Sequence, residues 1–575
     1  MARNTHPALT ADRRIPNGWD LAAILCVFAV IIANVQVAPS TFESLNAPKA
    51  TEVDLDPSNL PIYALRTTLR MFAALAASLV FTFIFAPIAA KSRRAGMVMI
   101  PILDILQSVP ILGFLSFTTA FFMSLFPGSV AGLEFAAIFA IFTSQAWNMT
   151  FSFYQSLTTI PADLDEVTRS YHLSAWQRFW RLEVPFGMPG LVWNMMLSMS
   201  GGWFFVVASE AITLGDNSWK LPGIGSYVSE ALDKRDIAAV FWAILAMLVV
   251  ILLYDQLLFR PLVAWSEKFR FEMIARATGG DPWVLRILRR TRVLRVAGGA
   301  AGVALGSIGR LRLALPIRAS PSGPGRQSRL GDALFLLVVG LVTLGAAWKI
   351  VDYVGSHDVG LADVLEAFEL GCITLVRVVV LIALASLVWV PIGVWIGLRP
   401  AWAGRVQVLA QFVAAFPANL LFPIFVILIV RFQVSPDIWL TPLMILGTQW
   451  YILFNVVAGA SAFPSDMQEA ATNFQVRGWL WWRRIILPGI FPYFVTGAIT
   501  ASGGSWNAAI VAEVATWGDT KLSAHGLGAY IAHATDAGDF PRIVLGVAMM
   551  SMFVLAFNRA VWRPLYAYST RRLTF

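Results

Sequence analysis

Apolar residues run along this chain in long unbroken stretches, and polar residues collect in the intervals between them. Crossing the hydrocarbon of a bilayer takes roughly 20 apolar residues per helix. Only helices or closed barrels satisfy their own backbone groups there, and continuous rather than alternating runs favour helices. The pattern predicts membrane helices near residues 19–38, 62–90, 97–124, 131–156, 187–211 and 237–260. It predicts six more near 331–353, 370–398, 405–431, 438–460, 490–514 and 541–565. The first run follows Arg13 and Arg14. It is read as a retained membrane helix, because it is longer than a typical leader core and no small-residue cleavage site follows cleanly.

The second set of helices repeats the first. PADLDEVTRSYHLSAWQRFWRLEVP around Glu166 aligns without a gap on PSDMQEAATNFQVRGWLWWRRIILP around Glu469, 303 residues further on. The same offset pairs Trp147 with Trp450, Pro161 with Pro464, Trp203 with Trp506, Glu210 with Glu513, Gly223 with Gly526 and Gly225 with Gly528. Agreement at Trp, Pro and Gly is not drift in apolar composition, and a long-period repeat has to be found before a fold is assigned. The expected fold is therefore all-α and integral to the membrane, with about twelve spans. Two homologous six-helix domains, 1–265 and 331–575, would stand in a pseudo-two-fold arrangement, joined by a linker at 266–330.

Composition agrees. Hydrophobic residues make up 58% and charged residues 13%, against about 25% charged in a soluble domain. The net charge is +9, with Lys and Arg at both ends, in the linker and in the repeated loops. Positive charge marks the cytoplasmic side. Both termini, the linker and both repeated loops are expected there, in an inner (plasma) membrane. Residues 39–60, 212–236 and 515–539 carry the acids and are expected outside. The basic charge borders membrane helices, which argues against nucleic acid as a partner. The linker is rich in Gly, Ser and Pro and carries a basic run from Arg286 to Arg295, so it reads as a tether or as a helix lying on anionic lipid. Cys26 and Cys372 imply neither a disulfide framework nor a metal site. There is no GxxxxGK[ST], HExxH, CxxC or GxSxG, and the five histidines are scattered. Neither a catalytic residue nor a nucleotide site is expected on this chain.

The repeated loop carries the chemistry. Each copy opens at a proline, which suits a first helical turn. Acids follow at once: Asp163 and Glu166 in one copy, Asp466 and Glu469 in the other. Carboxylates there complement the helix dipole. Then come Trp176 and Arg181, or Trp479 and Arg484, and a closing proline. This describes a short charged helical hairpin on the cytoplasmic face, presenting aromatics and charge. An aromatic belt at the lipid interface is the plainer alternative, but two copies in register favour docking.

These loops resemble the EAA loop of binding-protein-dependent ABC importer permeases, whose pattern is Glu-Ala-Ala, three residues, Gly, about nine residues, then an apolar residue and Leu-Pro. The second copy has Glu469-Ala470-Ala471 and Ile486-Leu487-Pro488; the first has Glu166-Val167-Thr168 and Val184-Pro185. His172 and Gln475 stand where the family has its glycine. SGGSWNAAIVAEV and GLGAYI, with their first-half counterparts, resemble the branch handling nitrate, sulfonates, taurine and bicarbonate. The resemblance implies that each loop is a coupling helix docking on a separate ATP-hydrolysing subunit. Two such ATP-binding cassette subunits would carry ATP and magnesium. A periplasmic or lipid-anchored solute-binding protein would deliver a small solute, an anion on this branch, moved by alternating access.

Other polar residues are candidates for a pathway or gate. Glu210 and Glu513 lie near outer helix ends, where carboxylates are costly and functional by default; with Ser209 and Thr516 nearby they read equally as hydrogen-bonded struts. Arg70 and Arg377, with Arg66, suit an anionic solute or snorkel to the interface. Asp104 precedes a break at Pro110, and Gln411 one at Pro417; kinked helices often shape a cavity. Asp216 and Asp519 are expected to cap outer loops, and Lys349 and Arg431 to anchor at interfaces. Two rivals remain: a twelve-helix secondary transporter built of parallel repeats, and a membrane-bound enzyme or scaffold.

Overall fold

A computed structural model describes residues 43–45, 52–108, 111–214, 217–269, 329–357, 359–399, 421–461, 463, 465–517 and 520–572, with single positions at 291, 299, 302, 306, 307, 309, 311 and 413. The predicted helix 19–38, most of the linker, Pro110, Asp216, Gln411, Pro417 and Asp519 lie outside these residues, and the side chains of Asp104 and Asp466 are likewise not described.

The first half begins with a turn at Pro57–Asn59, capped by Asp56, whose side chain accepts the Ser58 N–H at 2.9 Å. Helix α1 (Leu60–Lys91) follows, then α2 (Arg93–Ser108) and α3 (Ile111–Leu125). The single helix predicted at 97–124 is helical on both sides of residues 109 and 110, which lie outside the described residues. Helix α4 (Val130–Thr158) is capped by the Ser129 side chain. The loop expected on the cytoplasmic side supplies α5 (Ala162–Ser170), and the long helix α6 (Val184–Glu210) follows. After it come strands β1 (Ala211–Leu214) and β2 (Asn217–Lys220), then α7 (Ile224–Asp233) and α8 (Ile237–Tyr254).

The second half runs through α9 (Arg329–Gly355), α10 (Leu361–Gly397), α11 (Phe422–Phe432) and α12 (Trp450–Ser461). Then come α13 (Ser465–Asn473), α14 (Leu487–Ala512), β3 (Val514–Trp517), β4 (Thr520–Ser523), α15 (Leu527–Asp536) and α16 (Phe540–Phe557). Among the described residues, seven helical stretches are long and apolar enough to cross a membrane. An eighth results if the pair Pro436–Leu446 and Trp450–Ser461, bent by 44°, counts as one. The fold is all-α and membranous as expected, with seven or eight of the twelve predicted spans among the described residues.

Two antiparallel hairpins, in the loops expected to face outward, were not foreseen. Leu214 pairs with Asn217 and Trp517 with Thr520, so each hairpin closes on two residues. In each half a central helix carries the packing: α4 lies between α1 and α6, and α12 between α10 and α14. Trp203 and Trp506, equivalent in the repeat, are fully buried. Trp203 donates to the Tyr254 hydroxyl at 3.1 Å, and Trp506 stacks on Phe553. The halves interlock through α3, which packs against α14, α15 and α16. Leu115 enters the second half's core, and Phe117 meets Phe540 at 5.4 Å between ring centroids.

Candidate functional site: outer ion-pair clusters and inner loops

At the end of the first half expected to face outward, Arg70 of α1 is 3% exposed and touches two carboxylates. Its Nε and Nη2 donate to Glu134 at 2.5 and 2.7 Å, and its Nη1 donates to Glu210 at 2.7 Å and to the Pro222 carbonyl at 3.1 Å. Glu210 also accepts from the Thr67 hydroxyl at 2.7 Å and the Gly225 N–H at 2.7 Å, while Thr67 accepts the Ile224 N–H. A buried charge is tolerable only when paired and hydrogen-bonded, and here every partner is supplied. A Cβ on Gly223 would fall on the Glu210 carboxylate, and one on Gly225 would fall on the Val206 carbonyl. Both glycines are required by close approach.

The second half repeats the construction. Arg377 donates to Glu513 at 3.1 Å and to Asp437 at 3.0 Å. Thr374 donates to Glu513 at 2.8 Å and accepts the Leu527 N–H, and Glu513 accepts the Ala529 N–H. Gly526 leaves no room for a methyl group beside Glu513. One difference stands out. Position 222 is proline and offers only its carbonyl, whereas its equivalent His525 donates its N–H to Asp437 at 2.7 Å.

Glu134, Asp437, Thr67 and Thr374 were missed in the sequence. Glu134 and Asp437 obey the 303-residue offset, but Thr67–Arg70 and Thr374–Arg377 are 307 apart. A four-residue slip, close to one helical turn, therefore separates α1 and α10 from the rest of the repeat. Ser209, the hydroxyl that sequence proximity suggested for Glu210, donates instead to the Val206 carbonyl of its own helix. Asp104 lies on α2, apart from both clusters in the chain.

At the face expected to be cytoplasmic the two loops follow similar courses, differing where Gly478, with φ 61°, replaces Ala175. Helix α5 carries Asp163 and Asp165 in its first turn. The chain then turns at His172, with φ 48°, and Ser174 and Gln177 form a capping box for a short helix Ala175–Arg178. In the second loop α13 is followed by Gln475 with φ 51° and a short helix Gly478–Trp481. His172 and Gln475 thus hold the left-handed backbone that glycine adopts without strain. In both loops a π-helical turn, Phe179–Glu183 or Trp482–Ile486, leads into the long helix.

Asp163, Glu166 and Arg181 are exposed in the first loop, and Glu469, Ala470 and Arg484 in the second. Ala471 is buried. Trp176 is half-buried against Phe179 and Trp180, whereas its equivalent Trp479 is 72% exposed. The aromatic pair that projects from both loops is another one: Tyr171, 77% exposed, and Phe474, 82% exposed, at one repeat position. The sequence signal for them was an aromatic residue directly before the left-handed one in each copy. Among the described residues no group of three His, Cys, Asp or Glu side chains is placed to hold a metal ion.

The sequence profile of binding-protein-dependent transport system inner membrane components matches the chain twice, over residues 63–260 and 389–573. Relatives include the nitrate import permease protein of Leptolyngbya laminosa, 28% identical over 27% of this chain and 51% of that one. The bicarbonate transport system permease protein of Synechococcus elongatus is 26% identical over 23% of this chain and 45% of its own. The glycine betaine/carnitine transport permease protein of Listeria monocytogenes is 27% identical over 29% and 54%. The chain spans about half the length of the curated relatives it matches.

Proposed function

The chain belongs to the family of binding-protein-dependent transport system inner membrane components, and from that premise we propose that it is the membrane subunit of an ATP-driven importer, one chain supplying both transmembrane halves. The observation that carries this reading is the pair of inner loops. Both turn at a left-handed residue, His172 or Gln475, and each projects an aromatic side chain, Tyr171 or Phe474. An exposed aromatic anchor ringed by charge is what a protein partner buries. Two such loops suit two ATP-hydrolysing subunits, which would bind ATP and magnesium. A solute-binding protein would meet the outer face.

The solute is proposed to be a small anion. The nitrate and bicarbonate permeases among the relatives support this; the arginines do not, because Arg70 and Arg377 both face carboxylates. Transport would proceed by alternating access. ATP-bound partners must bind one membrane conformation better than the other for the equilibrium to shift. The loops transmit that preference, while the outer clusters hold α1 and α10 to the hairpin loops. Co-expression with an ATPase subunit and reconstitution in liposomes holding ATP tests the proposal. ATP-dependent uptake competed by nitrate, bicarbonate or a sulfonate is expected. Competition by glycine betaine alone would reassign the solute, and uptake driven by an ion gradient without ATP would overturn the mechanism.

A further inference from the structure

The two inner loops are joined to their helix bundles by different chemistry. In the first half the joint is ionic. Lys91, the last residue of α1, lies 2.8 Å from Glu183 at the head of α6. Arg178 Nε lies 3.2 Å from the other oxygen of Glu183, and Arg178 Nη1 lies 2.6 Å from Asp165 of α5. The Glu183 side chain is 2% exposed and that of Lys91 13%. Helices α1, α5 and α6 therefore meet on one charge cluster built around the buried Glu183, with Asp165 18% and Arg178 22% exposed. Asp165 Oδ1, Arg178 Nε and Glu183 Oε2 lie within ion-pair range but lack a well-directed hydrogen bond, so the attraction holds the groups together without fixing their angles.

In the second half the same joint is uncharged. The 303-residue offset places Gln468, Trp481 and Ile486 at the positions of Asp165, Arg178 and Glu183. The 307-residue offset that aligns Arg70 with Arg377 places Leu398 at the position of Lys91. Ile486 is fully buried, and Leu398 and Trp481 pack against the same apolar core.

We propose that the Lys91–Glu183–Arg178–Asp165 cluster is a positioning device that makes α1 follow the first loop, a role filled in the second half by apolar packing around Ile486. Pulling the loop from α1 would break an ion pair on a buried charge, which costs far more than parting an exposed pair. The loop therefore carries α1 with it, and α1 is held at its outer part by Arg70. Hydrophobic contact is non-directional, so the second joint holds its parts by area alone. This inference rests on the docking reading above.

The test uses the complex with its ATPase subunits and spin labels on cysteines replacing the exposed residues Ile84 of α1 and Leu387 of α10, in a chain without Cys26 and Cys372. The readout is the change in label distance between ADP and ATP states, which needs no transported solute. Glu183→Gln is expected to cut that change at least threefold while the ATPase still co-purifies. The pair Lys91→Leu with Glu183→Ile, which imports the second-half chemistry, is expected to restore at least two-thirds of it. If Glu183→Gln does not accumulate, Arg178→Gln breaks the cluster from its more exposed side with the same expected loss. A distance change within a fifth of wild type in these single variants overturns the inference, and so does a Leu–Ile pair as defective as they are. A wild-type chain that fails to bind the ATPase refutes the docking reading instead.

Discussion

Arg70 Nη1 and Glu210 Oε1 lie 2.7 Å apart although 140 positions separate them in the chain, and both residues are buried. Breaking a buried pair from one side leaves an uncompensated charge, at a cost of about 3–5 kcal/mol. Arg70→Met is expected to lose that much stability, read as thermal unfolding in detergent. Adding Glu134→Gln and Glu210→Gln to it should recover part of the loss, because no lone charge is then left. A triple variant less stable than Arg70→Met would contradict the pairing.

Gly223 and Gly526 face carboxylates at contact distance, whereas a Cβ on Gly503 meets nothing within 4 Å. Gly223→Ala and Gly526→Ala should each destabilise the protein by about 1–3 kcal/mol, the usual cost of overpacking. Gly503→Ala, inside helix α14, should be neutral or stabilising by up to about 1 kcal/mol. Melting temperatures of the three variants, measured together, check the order.

His172 and Gln475 hold left-handed backbone, with φ 48° and 51°. That conformation costs an L-residue about 1–2 kcal/mol, and glycine is free of the cost. His172→Gly and Gln475→Gly are each expected to raise stability or leave it unchanged. A clear fall in melting temperature would show that these side chains do something the turn itself does not require.

On the docking face, Tyr171→Ala and Phe474→Ala should weaken binding of the ATPase subunits more than Trp176→Ala does, since Trp176 is already packed on Phe179 and Trp180. Between the acids, Glu469→Gln is expected to weaken binding more than Glu166→Gln, because the second loop keeps Glu-Ala-Ala. Loss of one charge-assisted hydrogen bond is about 1.5–3 kcal/mol, which a titration resolves. Equal losses at the two acids would remove the asymmetry.

Topology is checked by labelling. With Cys26 and Cys372 replaced, a cysteine at Ser44 should react with an impermeant reagent in intact cells, and one at Ser170 only after lysis. Ser44 bridges to Ser129 at the outer end of α4, and Ser170 ends α5. Equal labelling of both from outside would place the inner loop on the wrong side for any ATPase.

The membrane class, the duplication and the inner loops were all legible in the sequence by itself, because each is written locally. Hydropathy needs only a run of neighbours, and the repeat declares itself through Trp, Pro and Gly at one offset. The hairpins were less legible: a Gly-Asp pair between two short strands is a known hairpin signal, and in this sequence Gly215–Asp216 and Gly518–Asp519 stand hidden between a long apolar helix and a short one. What only the tertiary structure decided is which charges meet. Arg70 finds Glu134 and Glu210, and Lys91 finds Glu183, across helices whose mutual rotation and axial register no local pattern encodes. The four-residue slip of α1 and α10 against the rest of the repeat even hid the equivalence of the two outer clusters. Side chains one helical turn apart share a face, so such a slip preserves the contact in space while breaking the alignment in sequence.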